Sequence, residues 1–152
     1  MEVGELQQSL MDYMNSLRSQ EILDSQFGQL QRLQDESSPN FVAEVLTLFF
    51  TDSKDLIKEL SEALNQQNVD FKEVDSCVHQ LKGSSASIGA QRLKKTCIDF
   101  SRFCNEKNRQ ACLKCLEQMR EEFNLVRSKL NGLLQIEKQI VAAGGSIPIM
   151  DL

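Results

Sequence analysis

Apolar residues recur at spacings of three and four along almost the whole chain, which is the period of amphipathic α-helices. Two helices are predicted in the N-terminal part, and Asp24 is the expected N-cap of the second. Their inward-facing positions are Val3, Leu6, Leu10, Tyr13 and Leu17 in the first helix, and Phe27, Leu30 and Leu33 in the second.

A third predicted helix begins where Ser38 provides a cap and Pro39 fits the first helical position, and this helix runs to about Gln66. Asp70 is expected to cap a fourth helix, which ends at Gly89. A fifth helix follows, and a sixth and longest one ends at the glycines 144 and 145. The inward-facing positions are Phe41, Val45, Leu48, Phe49, Leu56, Leu60 and Leu64 in the third helix; Phe71, Val74, Val78, Leu81, Ser85 and Ile88 in the fourth; Leu93, Cys97, Phe100 and Cys104 in the fifth; and Cys112, Leu116, Met119, Phe123, Val126, Leu130 and Leu133 in the sixth.

Four long amphipathic helices joined by short polar breaks are typical of an antiparallel four-helix bundle. We therefore predict an all-α fold in which residues 37–143 form the bundle and residues 1–36 supply two additional helices packed on it. Residues 144–152 are expected to form a flexible tail. Two prolines and seven glycines in 152 residues are too few for the turns of a β-sandwich or barrel.

Charge and composition argue against several classes of function. A net charge of −5 disfavours nucleic acid as the main partner, because phosphate backbones are bound by basic surfaces. No apolar run approaches the roughly 18 residues of a membrane span. The N-terminus lacks the regions of a signal peptide and the five cysteines lie within helical patterns, so a reducing intracellular compartment is expected. A single histidine cannot build a metal site of two or three histidines, so chemistry that needs imidazole depends on His79.

The segment 79–90 departs from the ordinary bundle pattern. It reads His-Gln-Leu-Lys-Gly-Ser-Ser-Ala-Ser-Ile-Gly-Ala, and its small residues are poor choices for a solvated helix surface. At about 100° per residue, Gly83 and Ala86 lie on the same side of the helix as His79, whereas Lys82 lies between that side and the core edge. His79 is therefore expected to stand on a surface that has almost no neighbouring side chains and is open to a partner.

Nucleophilic phosphoryl transfer is the chemistry that suits this arrangement. Neutral imidazole is a competent nucleophile near pH 7 and can hold a phosphoryl group as a phosphoramidate. Lys82, three residues after His79, can place its ammonium group beside the phosphoryl oxygens. The chain has no phosphate-binding loop and no paired acids for Mg²⁺, so the phosphoryl group must come from one protein and pass to another.

The motif H-x-x-K-G followed by small residues and Gly-Ala resembles that of histidine-containing phosphotransfer (HPt) domains, and the full string resembles the plant HPt proteins of cytokinin signalling. The resemblance implies that His79 is the phospho-acceptor, that Lys82 stabilises the phosphoryl group and that Gly83 opens the approach. Gln80, Ser84 and Gly89 also match the pattern and, like Gly83, are expected to contact a partner. Pseudo-members of the family lack the histidine and act as inhibitors, whereas this chain retains it.

The resemblance also implies the partners. These would be the receiver domains of hybrid sensor histidine kinases and of response regulators, whose acidic pocket holds the Mg²⁺ that the chain itself does not need. Lys94 and Lys95 belong to a basic segment after the motif and, with Ala86, are expected to contact such a partner. The protein would be a monomeric, stoichiometric carrier without kinase activity or cofactors, present in the cytoplasm and the nucleus.

Two other interpretations fit the same residues. A lone histidine on a helix is usually just an exposed polar residue, and the chain could be a helical adaptor that binds the same kind of partners without phosphotransfer. The pair Cys112 and Cys115 could indicate thiol or metal chemistry, although a structural zinc site needs four ligands and Cys112 lies in the core register.

Overall fold

The computed structural model describes residues 2–150, which form six α-helices joined by short turns. The helices are α1 (Val3–Ser19), α2 (Ser25–Arg32), α3 (Phe41–Leu64), α4 (Phe71–Ile88), α5 (Gln91–Asn105) and α6 (Arg109–Ala142). The part of the chain that the structure describes has no β-strand, only an isolated bridge between Asp35 and Ser38. None of its helices is long and apolar enough to cross a membrane. The predicted all-α class is confirmed.

Helices α3 to α6 form a closed bundle around one apolar core. α4 packs against α3 and α5, and α6 packs against α5 and α3, so each helix has two neighbours. The rings of Phe49 in α3 and Phe123 in α6 lie 6.3 Å apart between centroids and close the bundle. All the inward-facing positions predicted for α5 and α6 are buried. Strict three- and four-residue spacing was a sufficient guide for these two helices.

The two N-terminal helices pack on the outside of the bundle at different places. α1 packs against α6, where the Tyr13 hydroxyl donates a hydrogen bond of 2.7 Å to the Lys129 carbonyl oxygen. Gly132 lies beside this hydroxyl, and a β-carbon at that position would overlap it. α2 packs against α4 instead. Both additional helices therefore pack on the bundle, as the sequence predicts.

The start of α3 differs from the prediction. Asn40 is the N-cap and Phe41 the first helical residue, so Ser38 does not cap the helix. Asp35 accounts for the difference, because its Oδ1 accepts hydrogen bonds from the Ser37 and Ser38 backbone N–H groups at 2.9 and 3.0 Å. This side chain ties the serines into a turn before the helix. α3 also ends at Leu64, two residues before the predicted limit.

Two residues predicted to face inward are exposed. Leu48 in α3 is 64% exposed and Leu33, the C-cap of α2, is 63% exposed. In α3 the buried positions include Leu46 and Phe49, and Leu48 lies about 200° from the first and 100° from the second around the helix. The prediction for Leu48 is wrong, because the spacing of apolar residues does not determine which side of α3 packs against the core.

The chain after α6 packs against the N-terminal helices, unlike the flexible tail that the sequence predicts. The Gln7 side chain donates to the Ser146 carbonyl oxygen at 2.7 Å, and the Met150 backbone N–H donates to Gln31 Oε1 at 2.8 Å. Met150 is only 2% exposed. Apolar residues in the tail and glutamine side chains on α1 and α2 therefore hold residues 144–150 in place, and residues 151 and 152 lie outside the described range.

Candidate functional site

His79 lies in the middle of α4, on the side of the helix that faces solvent. Asp70 caps the start of α4 by accepting hydrogen bonds from the Lys72 and Glu73 backbone N–H groups at 3.1 and 3.3 Å. The buried stripe of α4 includes Val74, Val78, Leu81, Ser85 and Ile88. His79 is exposed, and no hydrogen bond or ion pair within residues 2–150 engages its imidazole.

The two flanks of α4 face different neighbours. The Ser101 hydroxyl of α5 donates to Asp75 Oδ1 at 2.7 Å, so the flank that contains Asp75 faces α5. His79, Lys82 and Ala86 follow at four, seven and eleven residues from Asp75 and share this flank. Ser84 lies on the opposite flank with Cys77, whose thiol interacts with Glu59 of α3. Gln80 is exposed between the two flanks.

Gly83 lies at the most solvent-facing position of α4. A β-carbon built there would meet nothing within 4 Å, so the helix surface next to His79 is open space. The neighbouring serines turn their hydroxyls back onto the helix: Ser84 donates to the Leu81 carbonyl oxygen at 3.1 Å and Ser87 to the Ser84 carbonyl oxygen at 2.8 Å. Ala86 adds only a half-buried methyl group. The surface around His79 is therefore flat and accessible.

Lys82 stands one turn after His79 at the edge between α4 and α5. Its side chain is half-buried. Burial raises the pKa of the Cys97 thiol in α5 to about 12, and the nearby Lys82 ammonium opposes this rise to a smaller extent. The interaction places the Lys82 charge on the α5 side of His79. A cation at this position can neutralise charge on a group bound to the imidazole.

Residues of α5 extend the open surface beyond α4. Lys94 lies seven residues before Ser101 and Ile98 lies three residues before it, so both share the helix face of Ser101. Ser101 is hydrogen-bonded to Asp75 of α4. Lys94 therefore lies level with Lys82, and Ile98 lies level with the residues next to His79. Ile98 is 48% exposed. We call His79, Gly83, Ala86, Lys94 and Ile98 the α4–α5 surface. Ile98 was not among the predicted contacts, because an exposed apolar residue on an amphipathic helix has no distinguishing local signal.

Lys95 does not join the α4–α5 surface. Its ammonium lies 3.3 Å from Glu21 Oε2, in a cleft between α5, α6 and the end of α1 that contains no described residue of α4. Arg92 lines the same cleft and pairs with Glu122 at 2.8 Å. The basic segment predicted to contact a partner is therefore divided, and only Lys94 remains beside the motif.

Gly89 is also absent from the surface, contrary to the expectation that it contacts a partner. Its φ of +84° ends α4, and the residue is buried beneath α2. A β-carbon on Gly89 would lie 2.7 Å from Asp24 Oδ1 and 2.8 Å from the Phe27 nitrogen. The Gly89 carbonyl oxygen accepts a hydrogen bond of 3.0 Å from the Asp24 backbone N–H. Gly89 therefore joins the end of the motif helix to α2.

All five cysteines are free and buried. Burial raises the pKa of the Cys77 and Cys115 thiols to about 11 and of the Cys97 thiol to about 12, and it also raises the pKa values of Cys104 and Cys112. Thiols with such pKa values are protonated near neutral pH and react slowly. Within residues 2–150, no group of three or more His, Cys, Asp or Glu side chains is placed to hold a metal ion. The core position predicted for Cys112 is confirmed.

Known proteins resemble the chain in both sequence and fold. The Hpt domain family matches residues 44–129, from the first turn of α3 to the middle of α6. The whole chain is 55% identical to histidine-containing phosphotransfer protein 1 of Arabidopsis thaliana, and the match covers 99% of that protein. The chain belongs to the plant HPt family.

Solved HPt structures share this fold. A histidine-containing phosphotransfer protein from Medicago truncatula has a TM-score of 0.86 and 45% identity over 93% of this chain and 96% of its own. One from maize has a TM-score of 0.83 and 48% identity over 89% of this chain and 99% of its own. The chain therefore has the sequence and the fold of a phosphorelay HPt protein, and its motif helix α4 lies within the part that the family matches.

Proposed function

We propose that this HPt protein accepts a phosphoryl group on His79 from the receiver domain of a hybrid sensor histidine kinase and passes it to the receiver domain of a response regulator. One observation supports the proposal most directly. The His79 imidazole is exposed, unengaged by any residue between 2 and 150, and borders the open space at Gly83. A second folded domain can therefore bring an aspartate within bonding distance of the imidazole without first displacing a side chain.

The two transfer steps are the reverse of one another. In the first, an imidazole nitrogen of His79 attacks the phosphorus of an aspartyl phosphate, and the N–P bond forms as the P–O bond to the aspartate breaks. The aspartate leaves as a carboxylate. In the second, a receiver carboxylate oxygen attacks the phosphorus, the N–P bond breaks and neutral imidazole is regenerated. No ATP is consumed by the HPt protein in either step.

Lys82 stabilises the phosphoryl group in this proposal. Charge on the transferring phosphoryl group is spread over its three oxygens, and a fixed cation beside them lowers the barrier. Lys82 lies one turn from His79 on the same flank of α4, so its ammonium can reach the oxygens of a phosphoryl group held on the imidazole. A positioned charge of this kind is worth more than a mobile surface charge in water.

The magnesium ion used in the transfer belongs to the partner in this proposal. Asp75 is the carboxylate nearest to His79 along its flank of α4, and its Oδ1 already accepts the Ser101 hydrogen bond. A receiver that brings its own acidic residues and Mg²⁺ would meet Lys82 and Lys94 at the edge of the α4–α5 surface. Opposite charges at this edge would orient the two proteins, and contact with Ile98 would add apolar area.

The cellular setting follows from the family resemblance and is part of the proposal. The relay would be the cytokinin pathway, and the protein would act as a monomer in both the cytoplasm and the nucleus. Gln80, exposed between the two flanks of α4, and Ser84, on the flank that faces α3, would contact the part of the docked receiver that extends beyond the α4–α5 surface. A panel of receiver domains from hybrid kinases and from response regulators, each tested for transfer in both directions, would identify the partners.

The decisive experiment measures the phosphate itself. The HPt protein is incubated with a receiver domain carrying a labelled aspartyl phosphate, and the product is tested for acid-labile, base-stable phosphate. We expect the wild-type chain and the Lys95→Ala control to be labelled and the His79→Gln variant to remain unlabelled. If His79→Gln binds the receiver and is labelled as well as wild type, His79 is not the acceptor. If wild type binds the receiver but is never labelled, the protein is an adaptor.

A further inference from the structure

A groove lies where the start of α3, the C-terminal part of α6 and the chain after α6 meet. Its volume is about 570 Å³, which falls within the range of small-molecule pockets, about 300–1,000 Å³. Ala43, Leu134, Val141 and Ile147 form an apolar part of its wall. Of the described residues that line the groove, none belongs to α4 or α5, so the groove is separate from the α4–α5 surface.

The wall of the groove also contains a buried carboxylic acid, Glu137. Glu137 is 7% exposed, and its Oε1 is shielded from solvent and accepts no hydrogen bond from any residue between 2 and 150. Burial raises the pKa of this carboxyl group to about 7, while a hydrogen bond with the Gln31 side chain lowers it to a smaller extent. One carboxylate oxygen of Glu137 therefore lacks a hydrogen-bond donor, and a buried acceptor without a donor costs free energy.

No cation among the described residues 2–150 forms an ion pair with Glu137. Lys138 is the only other ionisable residue that lines the groove within the described part of the chain, and it forms no ion pair there with Glu137. Neighbouring residues on a helix point about 100° apart, and the Lys138 side chain is exposed. A carboxylate in apolar surroundings favours a positively charged donor and repels an anion.

We propose that this groove binds a small organic ammonium ion, whose nitrogen donates hydrogen bonds to the Glu137 carboxylate once that side chain turns its shielded oxygen toward the groove, and whose apolar body lies on Leu134, Val141 and Ile147. A neutral alcohol of the same length would fill the apolar part but leave the charge of Glu137 uncompensated. An anion of that length would be repelled. The volume of the groove suits a ligand of small-molecule size, and its apolar wall requires a hydrocarbon or aromatic portion.

Nuclear magnetic resonance titration of the full chain with hexylammonium, compared with hexanol, tests this site. We expect saturable shifts of backbone amides at the groove, including those of Ala43, Leu134 and Val141, and affinity about tenfold weaker for hexanol. Glu137→Gln should weaken hexylammonium binding by about tenfold, because it keeps the shape but removes the charge. The matched control is Glu44→Gln, which removes an exposed charge next to the groove and should leave the affinity within about twofold.

A second measurement does not depend on any variant. The carboxyl carbon of Glu137 is followed by ¹³C resonance through a pH titration of the wild-type protein, with and without saturating hexylammonium. The ammonium should lower the pKa of Glu137, because a neighbouring cation favours the ionised form. The proposal is overturned if the pKa is unchanged, if Glu137→Gln binds hexylammonium as tightly as wild type, or if the shifts do not saturate and spread over the acidic surface. In those cases Glu137 is only a buried structural acid.

Discussion

Substitutions of Gly83 should change the stability of α4 and its function in opposite directions. Glycine in an exposed helix interior is about 0.8–1.0 kcal/mol less favourable than alanine, and glutamine lies within a few tenths of a kcal/mol of alanine. Nothing lies within 4 Å of a β-carbon at Gly83, so a side chain there meets no obstacle within the fold. We therefore expect Gly83→Ala to raise the free energy of unfolding by about 1 kcal/mol and Gly83→Gln by about 0.5 kcal/mol.

The same substitutions should impair phosphotransfer. A receiver must bring its aspartate to the His79 imidazole, and a side chain at Gly83 would stand on the open surface between the two proteins. A displacement of about 1 Å at reacting atoms can cost about 100-fold in rate, so we expect a loss of that size in Gly83→Gln and a smaller loss in Gly83→Ala. Urea denaturation followed by circular dichroism measures the stability, and single-turnover transfer from a phosphorylated receiver measures the rate.

Gly4 in α1 offers a matched control. It is also an exposed helical glycine, and a β-carbon at this position would meet nothing within 4 Å, but it lies far along the chain from the motif. Gly4→Gln should leave the transfer rate unchanged. If Gly83→Gln transfers at the wild-type rate, the open surface is not what the reaction requires. If Gly83→Ala lowers the stability, Gly83 is required for packing within the fold and the open surface does not explain its presence.

Three further changes test other parts of the structure. Lys82→Ala should slow transfer by between about 10- and 100-fold while receiver affinity in a binding assay stays nearly constant, and Lys82→Arg should recover part of the rate. Gly89→Ala should lower the urea-measured stability by about 2 kcal/mol, because the left-handed backbone and the contacts with Asp24 exclude a β-carbon; an unchanged midpoint would contradict this. The pKa of Glu137 is raised from 4.5 to about 7, so the folded state binds the proton more tightly and stability should fall, by up to about 3 kcal/mol, as the pH rises between these values. Urea midpoints at pH 5 and pH 8 should show less of this fall in Glu137→Gln.

The sequence predicts a structural feature best when the residues that cause it lie close together along the chain. The period of apolar residues in α5 and α6 predicts their buried faces, because a helix axis and one stripe are enough to define them. Asp24 and Asp70 are recognisable as caps for the same reason, since a cap acts on backbone N–H groups two or three residues away. The open side of His79 also follows from positions within a single helix.

Features that depend on contacts between distant segments could not be predicted in the same way. Met150 is buried because Gln31, 119 residues earlier, binds its backbone N–H. Lys95 points about 100° away from Lys94 around α5. It pairs with Glu21, 74 residues earlier, and nothing in the residues around Lys95 indicates this partner. Ile98 joins the α4–α5 surface through the register of α5 against α4, which the hydrogen bond between Asp75 and Ser101 marks.

The two glycines of the motif have opposite physical roles, which the motif string alone does not distinguish. At Gly83 the missing side chain would point to solvent, so glycine lowers the stability of α4 and its presence must be explained by what approaches from outside. At Gly89 the missing side chain would point into α2, so glycine is required by the fold itself. A substitution that raises stability and lowers transfer identifies the first role, and one that lowers stability identifies the second. Measuring both quantities in both variants therefore assigns each glycine without reference to any relative.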